Sequence, residues 1–127
     1  MPVSAVWANE THTAIILTFE QPWDWPEFHA ADEQAQALKH EVSHTVHWIM
    51  DFRAAGPMPQ KTLAQMNHIG RQMQGDSGRV YIVGANALLT ALGSIMRRLL
   101  PDAAGKVQPV ESLERALALI ADHESTR

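Results

Sequence analysis

His40-Glu41-Val42-Ser43-His44 matches the pattern H-E-x-x-H, and His47 follows three residues later. On one continuous helix the three imidazoles would share a face. His40 and His44, one turn apart, would then hold a zinc ion while Glu41 activates a water molecule. The neighbouring residues argue against that helix. A β-prone run starts near Thr45 or Val46 and continues to Phe52, so the helical pattern stops before its second turn is complete. No distal Glu and no His-x-x-Gly-x-x-His extension supplies a third ligand. The expectation is that His44 lies in a turn, that His47 lies on a strand, and that His40, His44 and His47 bind no metal. His29, near a helix start, and His68, in mid-helix, read as exposed polar residues, and His12 as a turn residue.

A second group offers recognition rather than catalysis. Asp51, Arg53 and Gly56 fall at the carboxyl end of one apolar run, and Gly84 and Asn86 at the end of another, where a helix begins. Open parallel sheets bind ligands at the carboxyl ends of their strands, and the N–H groups of a helix start attract anions. Arg53 would add a positive charge there. Each residue also has a structural use: Gly84 for a tight turn, Asn86 for a helix cap, Asp51 for a local hydrogen bond. Trp23 and Trp25 flank Asp24 in a segment that reads as an exposed loop, where a partner or ligand would stack. The alternative, which burial preferences favour, is a lid closing one end of the core. Arg97 and Arg98, beside Leu99 and Leu100, read as a solvated helix face or as the rim of an interface.

Composition narrows the functional classes. The 127 residues carry a formal charge of -4, which leaves no basic surplus for a phosphate backbone and excludes nucleic-acid binding as the main role. There is no cysteine, so disulfides, thiolate metal sites and cysteine nucleophiles are out. No apolar run reaches the length of a membrane span, and Met1 to Glu10 has no signal-peptide pattern. A cytoplasmic protein is expected. An apolar fraction of 46% against 19% charged residues fits one globular domain over 1–127, with its core at about 3–122 and a frayed tail at 123–127.

The elements that must position these residues alternate in a regular order. Val3 to Ala8 and Thr13 to Phe19 read as a hairpin around Asn9-Glu10-Thr11-His12. Pro26 opens a helix whose Phe28, Ala31, Ala35, Leu38 and Val42 recur at helical spacing, so it should run to about Val42. Val46 to Phe52 reads as a buried central strand. Pro59 then starts a helix with Leu63, Met66, Ile69, Gly70 and Met73 inward, and Met66 and Met73 are explained by packing. Val80 to Val83 is the next strand, and the helix from Asn86 stops before Pro101. Lys106 to Val110 is a last strand, and Ser112 caps a helix with Leu113, Ala116, Leu117 and Ile120 inward. The pattern predicts an α/β fold: a five-stranded, mostly parallel sheet with four helices in the order ββαβαβαβα.

That order resembles the STAS fold of anti-sigma-factor antagonists and sulfate-transporter cytoplasmic domains. The likeness runs from Val3 to about Ile120. It rests on Trp23-Asp24-Trp25-Pro26-Glu27-Phe28-His29-Ala30, on Ile49-Met50-Asp51-Phe52, on Tyr81-Ile82-Val83 leading into Gly84-Ala85-Asn86, and on Ser112-Leu113-Glu114-Arg115-Ala116-Leu117. The resemblance implies a regulatory domain that binds a protein partner. Antagonist members of the family carry a phosphorylated Ser or Thr just after the third strand. The matching segment here, Asp51-Phe52-Arg53-Ala54-Ala55-Gly56-Pro57, has no hydroxyl, and Thr62 lies well into the following helix. The expected function is therefore a non-enzymatic regulatory or scaffold domain, without cofactor, whose partner contacts lie at Arg53–Pro59 and Ala85–Leu88. A small-molecule or anion receptor built on the same strand ends is the alternative, and a zinc hydrolase using the His40–His44 motif the third. A homodimer through an edge strand or a helix face is compatible with the sequence, which selects neither.

Overall fold

A computed structural model describes residues 2–56, 64, 78–84, 97, 98 and 107–125. The fold is α/β, with a five-stranded mixed sheet in the order β1-β2-β3-β4-β5. β1 (Val3–Trp7) and β2 (Ala14–Glu20) pair antiparallel; β3 (His47–Ala54), β4 (Val80–Val83) and β5 (Val107–Val110) continue the sheet in parallel. Two helices lie among the described residues: α1 (Trp25–Lys39) and α2 (Leu113–Ser125). Of the helices expected from Pro59 and from Asn86, Ala64, Arg97 and Arg98 are described, and all three are helical and exposed; the rest of both lies outside the described residues.

The hairpin is closed by one side chain. Asn9 Oδ1 accepts the backbone N–H of Thr13 and of Ala14, and its Nδ2 donates to Thr13 Oγ1 at 2.8 Å. His12 takes the left-handed conformation at φ 54° that the turn requires, and its ring stacks on Trp7 with centroids 4.5 Å apart.

Strand alternation sends side chains to two faces, and each face builds its own core. On one, Val3, Ala5, Ile15, Leu17, Phe19, Trp48 and Val80 pack under Phe28, Ala31 and Ala35 of α1. On the other, Ala14, Ile49, Tyr81 and Val83 pack under Ala116 and Ile120 of α2. The cross-strand registers Ile15↔Trp48↔Val80 and Ile16↔Ile49↔Tyr81 show the two rows directly. β3 in the middle is covered on both faces, which is why its residues read as a near-continuous apolar run.

Both helices begin on the residues their sequences offer. Asp24 caps α1 by accepting the Trp25 N–H at 2.8 Å, with Pro26 in the first turn. Ser112 Oγ accepts the Arg115 N–H at 3.1 Å at the start of α2, as its type predicted. Two expected helix ends need correction. α1 ends at Lys39 rather than near Val42: two tighter contacts, Glu41 N–H to Leu38 O and Val42 N–H to Lys39 O, close the last turn. The chain is then drawn into the sheet, where the His47 N–H donates to Thr13 O at 2.7 Å. At the other end of the chain, α2 continues to Ser125 where a polar tail from His123 was expected.

Candidate functional site

The H-E-x-x-H residues do not share a helix. His40 is the C-cap of α1, Glu41 and His44 lie in the connection, and His47 is on β3. Two of the three imidazoles have a local task. His44 Nε2 donates to the carbonyl of His12 at 2.8 Å and so ties the α1–β3 connection to the hairpin turn. His47, 2% exposed, accepts the Arg79 N–H on Nδ1 at 3.0 Å. Gly78 exists for that ring: a Cβ there would lie 2.5 Å from His47 Nδ1 and 2.7 Å from Val46 O.

Trp23 and Trp25 are not an exposed pair. Each is only 7% exposed; Trp23 sits edge-on to Phe19 at 4.8 Å and Trp25 edge-on to Phe28 at 5.7 Å. The Trp23 indole N–H donates to Ala55 O at 3.1 Å, which satisfies its polar end inside the core. The segment closes one end of the α1 face, as a lid does. Gly56, at φ +66°, packs against the Gln21 side chain beside this lid, and a Cβ there would lie 2.9 Å from Gln21 Cβ and Cδ.

The strand-end group does assemble, around a feature the sequence did not announce. Between the pairs Thr18↔Asp51 and Glu20↔Ala54, β3 takes three steps where β2 takes two. The extra residue is a β-bulge at Phe52–Arg53, and bulges of this kind re-aim side chains at the ends of strands. Arg53 is therefore part of β3, which runs two residues past its expected end, and not of the loop after it. Its backbone N–H and its Nε both donate to Asp51 Oδ1, at 3.1 and 3.0 Å, and its Nη2 donates to Asp51 Oδ2 at 2.8 Å. Gly84, directly after β4, presses on the same residue. Its φ of +80° is a glycine conformation, and a Cβ would stand 2.8 Å from Arg53 N and 2.9 Å from Arg53 Cα and Cγ. Asn86 lies outside the described residues.

The electrostatics follow from this geometry. The Asp51 side chain is 8% exposed and that of Arg53 55%. Hydrogen bonding to the Arg53 guanidinium holds the Asp51 carboxyl below the usual carboxylate range, against the upward push of burial, and Asp51 in turn raises Arg53. The charge of Glu114, in the first turn of α2, adds slightly to the upward push on Arg53. Glu114 was not among the expected site residues. Nor was the direct Asp51–Arg53 pair, although two residues two apart on a strand share a face and the spacing carried that signal.

A depressed carboxyl ties stability to pH in a definite direction. Asp51 contributes stability above its unfolded pKa of about 4, and that contribution is lost as pH falls through the lower folded value. Arg53→Ala leaves the carboxylate buried with only the backbone donor. At pH 7 it should cost about 1–2 kcal/mol, a figure discounted for the exposure of Arg53. The gap between variant and wild type should close as pH drops below about 4. Urea unfolding at pH 7 and pH 3 measures both; an equal gap at the two pH values is the contrary result.

No protein-family model matches this chain, and no curated protein matches it. Among the described residues, no group of three or more His, Asp or Glu side chains is gathered to hold a metal ion, and no helix is long and apolar enough to cross a membrane.

Proposed function

We propose that this chain is a STAS-like regulatory or scaffold domain, not an enzyme, that recognises a protein partner through the carboxyl end of β3. The observation that carries the reading is Arg53: a half-exposed guanidinium, fixed on a bulge by a nearly buried carboxylate and backed by a glycine. Arginines with little conformational freedom left to lose are favoured anchors at protein interfaces. The strand order, with an antiparallel first pair and parallel strands after it, supports the likeness in fold. The segment after Asp51 carries no hydroxyl, so the proposed contact works without phosphorylation there.

The anion-receptor reading has less support, for an electrostatic reason. Asp51 occupies two of the guanidinium donors, so an incoming phosphate would meet a carboxylate already seated on the positive charge. The zinc reading needs the three histidines on one helix, and here a helix end, a connection and a strand hold them.

The test is affinity capture from extracts of the source cells with wild type and Arg53→Glu, with circular dichroism as the control for folding. The reversal of charge should weaken capture of a specific protein about 30-fold or more. Equal capture by both forms refutes the proposed surface. A thermal shift with inorganic phosphate that disappears in Arg53→Glu would favour the receptor instead.

A further inference from the structure

We infer that His47 is an acid-sensitive latch: its neutral ring holds the start of β4 against β3, and a second proton on the ring releases it. Three hydrogen bonds fasten that start. The Gly78 N–H donates to Val46 O at 3.0 Å, the Trp48 N–H to Arg79 O at 2.9 Å, and the Arg79 N–H to His47 Nδ1 at 3.0 Å. The first two end on carbonyl oxygens. The third ends on an atom that takes up a proton near neutral pH. The strand held this way is short, Val80–Val83, so each bond at its start counts.

The chemistry leaves the second proton one place to go. A ring whose Nδ1 accepts an N–H carries its own proton on Nε2. A second proton therefore goes to Nδ1, where it stands head to head with the Arg79 N–H. Turning the ring over does not restore the bond, because an imidazolium donates from both nitrogens and accepts on neither. The backbone of Gly78 is packed on the same edge of the ring: a Cβ there would lie 2.5 Å from Nδ1 and 3.0 Å from Cε1. His47 is 2% exposed, so its charge would also be held away from solvent.

The described groups around the ring suit its neutral form. β2 brings Thr13, whose carbonyl takes the His47 N–H, and Ala14, its register partner. β4 brings Arg79, a positive charge that opposes a second one, and Tyr81, whose phenol is pushed up by burial and stays neutral. On β3 itself Asp51 shares the face four residues along, on the order of 13 Å away, with its carboxylate on Arg53. His44, in the connection before β3, is turned to the His12 carbonyl. α2 lays Ala116 and Ile120 on this face, and its Asp122 is exposed.

Amide exchange and imidazole nitrogen NMR from about pH 7.5 to about pH 5 test the latch. At the upper end the His47 ring should carry its proton on Nε2 alone. Below about 6.5, where a free imidazole takes up its proton, each opening binds one proton, so protection of the Arg79 amide, corrected for intrinsic exchange, should fall about 10-fold per pH unit. The Gly78 and Trp48 amides should follow it, while the Ala8 amide, which donates to Ala14 O in the hairpin, keeps its protection. His47→Asn sets an amide oxygen near the place of Nδ1, accepts the same bond and does not titrate, so its Arg79 protection should be level over the range. Should that variant fail to fold, the ring titration and the Arg79 amide of the wild type decide. A proton on Nδ1 at the upper pH overturns the inference, as does wild-type Arg79 protection that ignores pH or falls equally in His47→Asn.

Discussion

Phe19→Ala should be the most damaging single truncation of the core, costing about 3–5 kcal/mol. Phe19 is 1% exposed and touches three separate pieces of chain. Its ring stacks on Phe52 of β3 at 4.5 Å and on Phe28 of α1 at 5.9 Å, and meets Trp23 of the lid edge-on at 4.8 Å. Alanine would leave a cavity bounded by aromatic rings that cannot collapse inward without leaving their rotamers, which places the cost toward the upper part of the range. A domain of this size is stable by about 5–15 kcal/mol, so such a loss is a large share of the total. Urea unfolding is the measurement: the midpoint should fall with little change in slope, and Phe19→Leu should cost clearly less. A loss below about 1 kcal/mol would show that Phe19 does not organise this face. Phe52 belongs to the bulge that aims Arg53, so the same cavity should also loosen the candidate site.

Gly84→Ala comes next in size, with an expected cost of about 2–4 kcal/mol. Two effects add. An L side chain at φ +80° costs about 1–2 kcal/mol, and its Cβ would stand 2.8 Å from the backbone nitrogen of Arg53, so one of two neighbouring strands must move. Asparagine separates the two effects, because it tolerates positive φ better than alanine yet still has a Cβ. Gly84→Asn should therefore recover only the conformational part, about 1 kcal/mol, and stay well short of the wild type because its Cβ still meets Arg53. Both should also disturb the Asp51–Arg53 fork, seen as a rise in the Asp51 carboxyl titration by NMR. If asparagine restores most of the stability, backbone conformation was the whole reason for glycine at this position.

These two positions show how legible the molecule was. Phe19 announced itself: alternation along Ile15, Leu17 and Phe19, and helical spacing along Phe28, Ala31 and Ala35, mark two apolar surfaces that must meet. Gly84 was read as a turn residue, but its other half, the approach to Arg53, involves a strand distant in sequence and has no local signature. The H-E-x-x-H match illustrates the reverse case. The β-prone residues after Ser43 already implied that the helix would not continue, and the structure ends it at Lys39. For Trp23 and Trp25 burial preferences favoured a lid over an exposed loop, and the structure buries both; the aromatic rings they pack on, Phe19 and Phe28, came only from the fold.

Local pattern alone determined the succession of the described strands and helices, the hairpin, the cap at Ser112, and the apolar faces of β2 and α1, because those depend on periodicity and on side-chain bonds within a few residues. Tertiary structure decided the bulge at Phe52–Arg53, the close approach of Gly84 to Arg53, and the burial of Trp23 against Phe19. Those depend on which strands become neighbours and in what register, and register is set by contacts between residues far apart in the chain.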